Sequence, residues 1–136
     1  MALTKDNRAS KKKGNSVHSD PVKAAAKLYA GGLICLDATG HAVAGSASTT
    51  LKARGRCLKQ VDNSAGADGD VNVDTETGVF NFKNSAAGDL ITIADIGNDC
   101  YIVDDETVAK TDGTGTRSIA GRIDSIDSHG VWVEIK

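Results

Sequence analysis

The chain has 136 residues, 25% of them charged and 40% hydrophobic, with a formal net charge of −2; that is the size and balance of one globular domain. Aromatic residues make up only 4%, so the core has to be built from Val, Ile, Leu and Ala. No apolar run approaches the ~20 residues of a bilayer-spanning helix, and the basic N-terminus has no apolar stretch behind it, which argues against a secretory leader.

Residues 1–20 are polar and lack a hydrophobic period. Lys5, Arg8, Lys11, Lys12 and Lys13 stand there against Asp6 and Asp20, while the rest of the chain is acidic. Such a segment reads as a basic arm, disordered or extended in the free protein. Pro21 marks the entry to the folded body, residues 21–136. Val22–Leu28 is ambiguous, since Ala24, Ala25 and Ala26 favour helix by propensity. Leu33–Leu36 is a strand, Asp37–Gly40 a turn and His41–Ala44 a returning strand, a hairpin signal.

Leu51–Val61 reads as one long half-buried strand. Leu51, Ala53, Gly55 and Cys57 alternate with Lys52, Arg54 and Arg56, and Leu58 breaks the pattern as a bulge would. Asp62–Asp70 is a polar loop. Val71 and Val73 face Val79, Phe80 and Phe82 across Thr75–Gly78, which suggests a second hairpin.

Gly78–Asp105 is the stretch around which the chain is organised. It holds both phenylalanines and a dense set of isoleucines, so it is expected to form the packed centre. Within it, Thr92-x-x-Asp95 is a capping-box pattern and Gly97 a stop signal, predicting a short helical turn at Thr92–Ile96. Cys100–Val103 is a β-run. Val108 and Ala109 form a brief strand after the Asp104–Glu106 turn, and Thr111–Thr116 is a flexible loop. Ser118–Ile126 alternates, with Ile119, Gly121, Ile123 and Ser125 on one face. Asp127–Gly130 turns the chain into a last strand that sets Val131, Val133 and Ile135 against Trp132 and Glu134. Short strands at ~8–12-residue spacing, separated by Gly and Asp turns, predict an all-β fold: a small sandwich or barrel-like domain with short helical turns.

The candidate chemistry is sparse. Cys35, Cys57 and Cys100 are odd in number and sit in apolar runs, which fits buried free thiols. Asp62, Asp68 and Asp70 miss the ligand spacing of a calcium loop, because Ala65 and Ala67 interrupt it and Val73 stands where the closing Glu belongs. Asp104, Asp105 and Glu106 read as an exposed turn. His18, His41 and His129 show no nucleophile–base pattern. The Gly-Thr-Gly-Thr of the 111–116 loop lacks the Gly-Lys-Ser/Thr ending of a phosphate loop. No catalytic, cofactor-binding or metal-ligating residue is therefore expected. The arm could contact nucleic-acid phosphates, but it has no interleaved aromatics and the body is acidic. It could equally dock on an acidic protein surface, or simply solubilise the chain.

Several long phrases carry a resemblance. They are AAKLYAGGLICLDATGHAVAG, ARGRCLKQVDNSAGADGDVNV, GVFNFKNSAAGDLITIADIGNDCYIVDDETVAKTDGTGTRSIAGRI and the closing GVWVEI. Together they resemble a family of small head proteins of tailed phages and Mu-like prophages, encoded beside the major capsid gene and similar in role to capsid decoration (cement) proteins. The resemblance covers roughly residues 22–136 and leaves out the basic arm. It implies a β-rich domain, of the β-tulip-like kind, that binds the outside of an assembled capsid as a homotrimer or other small homo-oligomer. The major capsid protein would be the partner. The chain would be made in the host bacterial cytoplasm and end on the virion surface, with no enzyme activity, cofactor or membrane partner. On this reading the arm, through Lys5, Arg8, Lys11, Lys12 and Lys13, contacts the capsid. The alternatives are another all-β virion component, such as a head-completion or tail part, and a nucleic-acid-binding module using the arm.

Overall fold

A computed structural model describes residues 16–136. Twelve strands follow one another in these residues: β1 (Val17–Pro21), β2 (Lys27–Leu28), β3 (Leu33–Leu36), β4 (Ala42–Ala44), β5 (Lys52–Cys57), β6 (Val61–Asp62), β7 (Asn72–Glu76), β8 (Gly78–Phe82), β9 (Asp99–Ile102), β10 (Val108–Ala109), β11 (Ile119–Asp127) and β12 (Gly130–Ile135). They form two five-stranded sheets, ordered β1-β7-β5-β3-β4 and β10-β9-β11-β12-β8, and a β2-β6 ribbon. Every pairing between strands is antiparallel. The fold is all-β, as the turn spacing predicts.

Strand β3 explains the layering. Leu33 and Cys35 point into a core shared with Phe82, Ile91, Cys100, Ile102, Ala120, Ile123, Val131, Val133 and Ile135. Ile34, between them, points the other way into a second cluster with Val22, Leu28, Ala42, Cys57 and Val73. A strand buried on both faces has to read as a continuous apolar run, and Leu-Ile-Cys-Leu does. The second sheet therefore covers one face of the first. The β2-β6 ribbon and its flanking loops cover part of the other. Strand β12 is buried on one face only, and its Val131, Val133 and Ile135 alternate with half-exposed Trp132 and Glu134.

Several expectations are corrected. The Ala24–Ala26 run is not helical. Val22 and Leu28 are both needed in the second cluster, and Ala25 lies at φ +64°, so burial and a turn override propensity. The Leu51–Val61 strand breaks at Leu58 into β5 and β6, and its bulge falls earlier. Ile34 pairs with Gly55 but Cys35 with Ala53, leaving Arg54 as the extra residue. One extra residue inverts a period-2 pattern, so Leu51 and Ala53 pack on the first core while Cys57 joins the second. The same happens in β11. A register shift between Ile119 and Gly121 turns Ala120 and Ile123 inward and leaves Ile119 exposed.

The proposed hairpin across Thr75–Gly78 is absent. Strands β7 and β8 belong to different sheets, and a single residue, Thr77, separates them. That is too short for a hairpin loop. Gly78, at φ +151°, instead makes a corner by which the chain leaves the first sheet and enters the second. The division at residue 20 also moves. Residues 17–20 are not part of an arm, because Val17–Pro21 pairs along its whole length with β7 from Glu76 to Asn72. Its alternation is short and polar, and only Asp20 is buried, so nothing in the local pattern announces a strand.

Candidate interaction surface

Strand β1 is an edge strand: β7 lies on one side, and no strand among the described residues lies on the other. Its hold on the body goes beyond the ladder. Asp20 receives two hydrogen bonds from Arg54 of β5, Nε to Oδ2 at 2.8 Å and Nη2 to Oδ1 at 3.1 Å. The pair therefore reaches across the intervening β7. At the other end the Thr77 N–H donates to the Ser16 carbonyl at 2.8 Å. Residues 1–15 precede this fixed strand, and Lys5, Arg8, Lys11, Lys12 and Lys13 lie outside the described residues.

Beside β1 an open groove of about 550 Å³ runs along the corner between the sheets, lined by His18, Arg54, Val79, Glu134, Ile135 and Lys136 among others. Arg56, also on β5, packs on β8. Its guanidinium carbon lies 4.6 Å from the centre of the Phe80 ring, and Nη2 reaches Glu76 at 3.3 Å.

The second surface feature lies in the stretch expected to be the packed centre. Phe82, Ile91, Cys100 and Ile102 do enter the core. Leu90, Ile93 and Ile96, however, are 45%, 77% and 45% exposed. Short 3₁₀ turns at Ala87–Asp89 and Ile93–Asp95 bring in a repeat of three residues per turn, so the two-residue alternation of a strand does not hold here. Leu90, Ile93 and Ile96, spaced by three, thus lie outward while Ile91 is buried. The segment is held firmly nonetheless. The Asn84 side chain donates to the Ile91 carbonyl at 2.9 Å and accepts from the Ile91 N–H at 3.0 Å. The predicted capping box is present, with Asp95 Oδ2 accepting the Thr92 N–H at 2.9 Å, and Gly97 at φ +94° ends the turn.

The acidic loops are structural. In the 62–70 loop, Asp62 accepts the Ser64 N–H, Asp68 the Ala24 N–H and Asp70 the Ala67 N–H. Each carboxylate thus fastens a different piece of backbone. Buried Asn63 donates to the Val22, Lys23 and Ala67 carbonyls. In the 104–106 turn, Asp104 accepts the Glu106 N–H and Glu106 pairs with Lys83 at 2.9 Å. Burial, with the charge of Asp104 beside it, raises the Asp105 carboxyl above its ordinary value. Among the described residues no three His, Cys, Asp or Glu side chains converge as a metal-binding group. No described helix is long and apolar enough to cross a membrane.

The nucleophile candidates are equally placed. Cys35, Cys57 and Cys100 are buried and unpaired, and burial pushes Cys35 and Cys100 up to about 12. His129 stacks edge-on against Trp132 at 6.4 Å. His41 Nδ1 lies 2.8 Å from Thr39 Oγ1, whose hydroxyl also donates to Asp37 at 2.6 Å. With the threonine proton directed to Asp37, the contact ties a hairpin turn together and leaves no activated oxygen. The Thr111–Thr116 loop is pinned by Arg117, which donates to the Thr111 carbonyl and to Asp89.

No protein-family model matches the chain, and searches of curated proteins and of solved structures return no match either.

Proposed function

We propose that this chain is a structural virion protein that binds the outer surface of a tailed-phage capsid as a small homo-oligomer and stabilises the head. The observation that carries the reading is the position of β1, a sheet edge anchored by Asp20 and Arg54 with the basic residues directly upstream. A segment that precedes an edge with no second partner strand among the described residues is well placed to add backbone hydrogen bonds to another protein's sheet. Its five cations steer it toward acidic groups, each exposed pair adding only ~0–1 kcal/mol. Many such arms on one shell act together through avidity. The capsid enters as the partner through the resemblance of the quoted phrases to phage head proteins. The buried thiols and the carboxylates committed to backbone speak for a binding role over a catalytic one.

The test is co-sedimentation of the protein with undecorated shells of a tailed-phage major capsid protein. Full-length protein and a chain lacking residues 2–15 are compared at low and moderate salt. The truncation has to stop before Ser16, because β1 is part of the body. Saturable binding by the full chain and weaker binding by the truncated chain support the reading. No binding by either overturns it, and equal binding assigns docking to the body alone. A salt-dependent shift of DNA by the full chain alone, without shell binding, supports the nucleic-acid alternative.

A further inference from the structure

We propose that the outer edge of β8 receives an extended, uncharged segment of a partner polypeptide, which pairs there as an added strand. This goes beyond the reading above, in which residues upstream of β1 are given to another protein's sheet. Its test uses no shell, so the two fail separately.

In an antiparallel strand the N–H and C=O of one residue point to the same side, and successive residues alternate. The β8–β12 register runs from Val131↔Phe82 to Ile135↔Gly78 without a shift. The Phe82 carbonyl abuts Gly130, the first residue of β12. Gly78, Phe80 and Phe82 therefore bond to β12, and Val79 and Asn81 present their backbone to the other side. On that side both ends are already paired. The Thr77 N–H donates to the Ser16 carbonyl at 2.8 Å; the Lys83 N–H donates to the Glu106 carbonyl at 2.7 Å, and the Lys83 carbonyl accepts the Val108 N–H at 3.0 Å. Between them, Gly78–Phe82 is a gap of five residues with no strand against it among the described residues. Val79 and Asn81 are both exposed, so their N–H and C=O groups open onto water.

These groups select the occupant. Donors and acceptors repeated at every second residue, about 7 Å apart, match another extended backbone. The charges beside the gap are already paired, Lys83 with Glu106 at 2.9 Å and Arg56 with Glu76 at 3.3 Å. A phosphate backbone therefore meets no free cation here, and a charged side chain of either sign gains little. The middle residue of the added strand lies opposite Phe80 in a close, non-hydrogen-bonded pair, where a β-branched or aromatic side chain packs best.

The edge is also unguarded. Natural sheet edges are blunted by charges, Pro, bulges, covering segments or short length. Among the four terminal strands of the two large sheets, β1 carries Asp20 and Pro21, and β10 has two residues. Strand β4 is covered by Lys23, whose N–H donates to the Ala42 carbonyl at 3.0 Å. Strand β8, Gly-Val-Phe-Asn-Phe, has none of these devices.

The probe is the peptide acetyl-Thr-Thr-Ile-Thr-Thr-amide, titrated to about 5 mM into the isotope-labelled full chain, a range that reaches weak contacts. Saturable amide shifts centred on Val79 and Asn81 are expected, with slower hydrogen exchange at both. Peptides N-methylated at the second or fourth residue, whose N–H groups face β8, should bind at least about tenfold more weakly. Methylation at the third, whose N–H faces away, should leave binding unchanged. Val79→Pro removes one donor on the open side without touching the β12 ladder, and should weaken binding by a similar factor. Should that variant fail to fold, the methylated peptides decide. No shifts at the highest concentration, shifts centred elsewhere, or equal binding by all the peptides would overturn the proposal. So would shifts of the same two amides on raising the protein concentration alone, because a second copy would then hold the edge.

Discussion

Asp20 of β1 and Arg54 of β5 are joined by two hydrogen bonds, at 2.8 and 3.1 Å, over the strand that separates them. Arg54 is the bulged residue of β5, and its side chain is about one-third exposed while that of Asp20 is 12% exposed. The bulge thus places a guanidinium where a regular strand would not, and the guanidinium holds the edge strand down. Asp20→Ala removes the acceptor and leaves a half-buried cation without its partner. The expected cost is about 1–2 kcal/mol, below the value for a fully buried pair because Arg54 still reaches water. Hydrogen exchange should rise first in β1 and along β7.

Thr75 presents the opposite case. It is fully buried on β7, and its hydroxyl has no hydrogen-bond partner. An unsatisfied buried hydroxyl costs free energy that an isosteric methyl does not. Thr75→Val is therefore expected to stabilise the fold by up to about 1 kcal/mol, read as a higher denaturant midpoint at unchanged slope. Destabilisation would mean that the hydroxyl is satisfied in solution.

The three thiols give a chemical test of the core. Thiolate is the reactive form, and burial raises Cys35, Cys57 and Cys100 above the ordinary thiol value of 9.0. At pH 8 the native protein should be nearly inert to a disulfide exchange reagent. Three equivalents should react on unfolding. Rapid labelling of one site without denaturant would point to local opening of its sheet.

The 111–117 loop carries a pH dependence. The Thr111 hydroxyl, and then the Arg117 guanidinium, hold the Asp89 carboxyl below its ordinary 3.8. A depressed folded-state value means that the ionised group favours the native loop. That contribution is complete above the ordinary value and is lost as pH falls through the folded one. The loop should keep its exchange protection from neutral pH down to the carboxylate range and loosen only below it. In Asp89→Asn the acid transition should disappear.

The parts of the fold legible in the sequence are those where one residue follows the next at strand period. Leu33–Leu36 and Val131–Ile135 read correctly because packing agrees with local pattern. The misreadings share one cause. At Arg54, at Ala120 and at the 3₁₀ turns around Ile91, one residue or one turn changes the face that is buried, and neighbouring residues do not encode it. Thus Ile119, Leu90, Ile93 and Ile96 look like core and lie outside. Strand β1 was hidden for a related reason: its stability comes from β7 and Arg54, which are distant in sequence. The broken ligand spacing of 62–70, by contrast, is readable without tertiary knowledge.

The most direct test of the capsid assignment is a cryo-EM map of undecorated shells mixed with the full-length chain. The account predicts density for the two-sheet body at regular positions on the outer surface, with the β1 edge toward the shell and residues upstream of Ser16 running onto a capsid strand. Shells that remain bare at saturating protein, or density confined to a portal or tail, would contradict it.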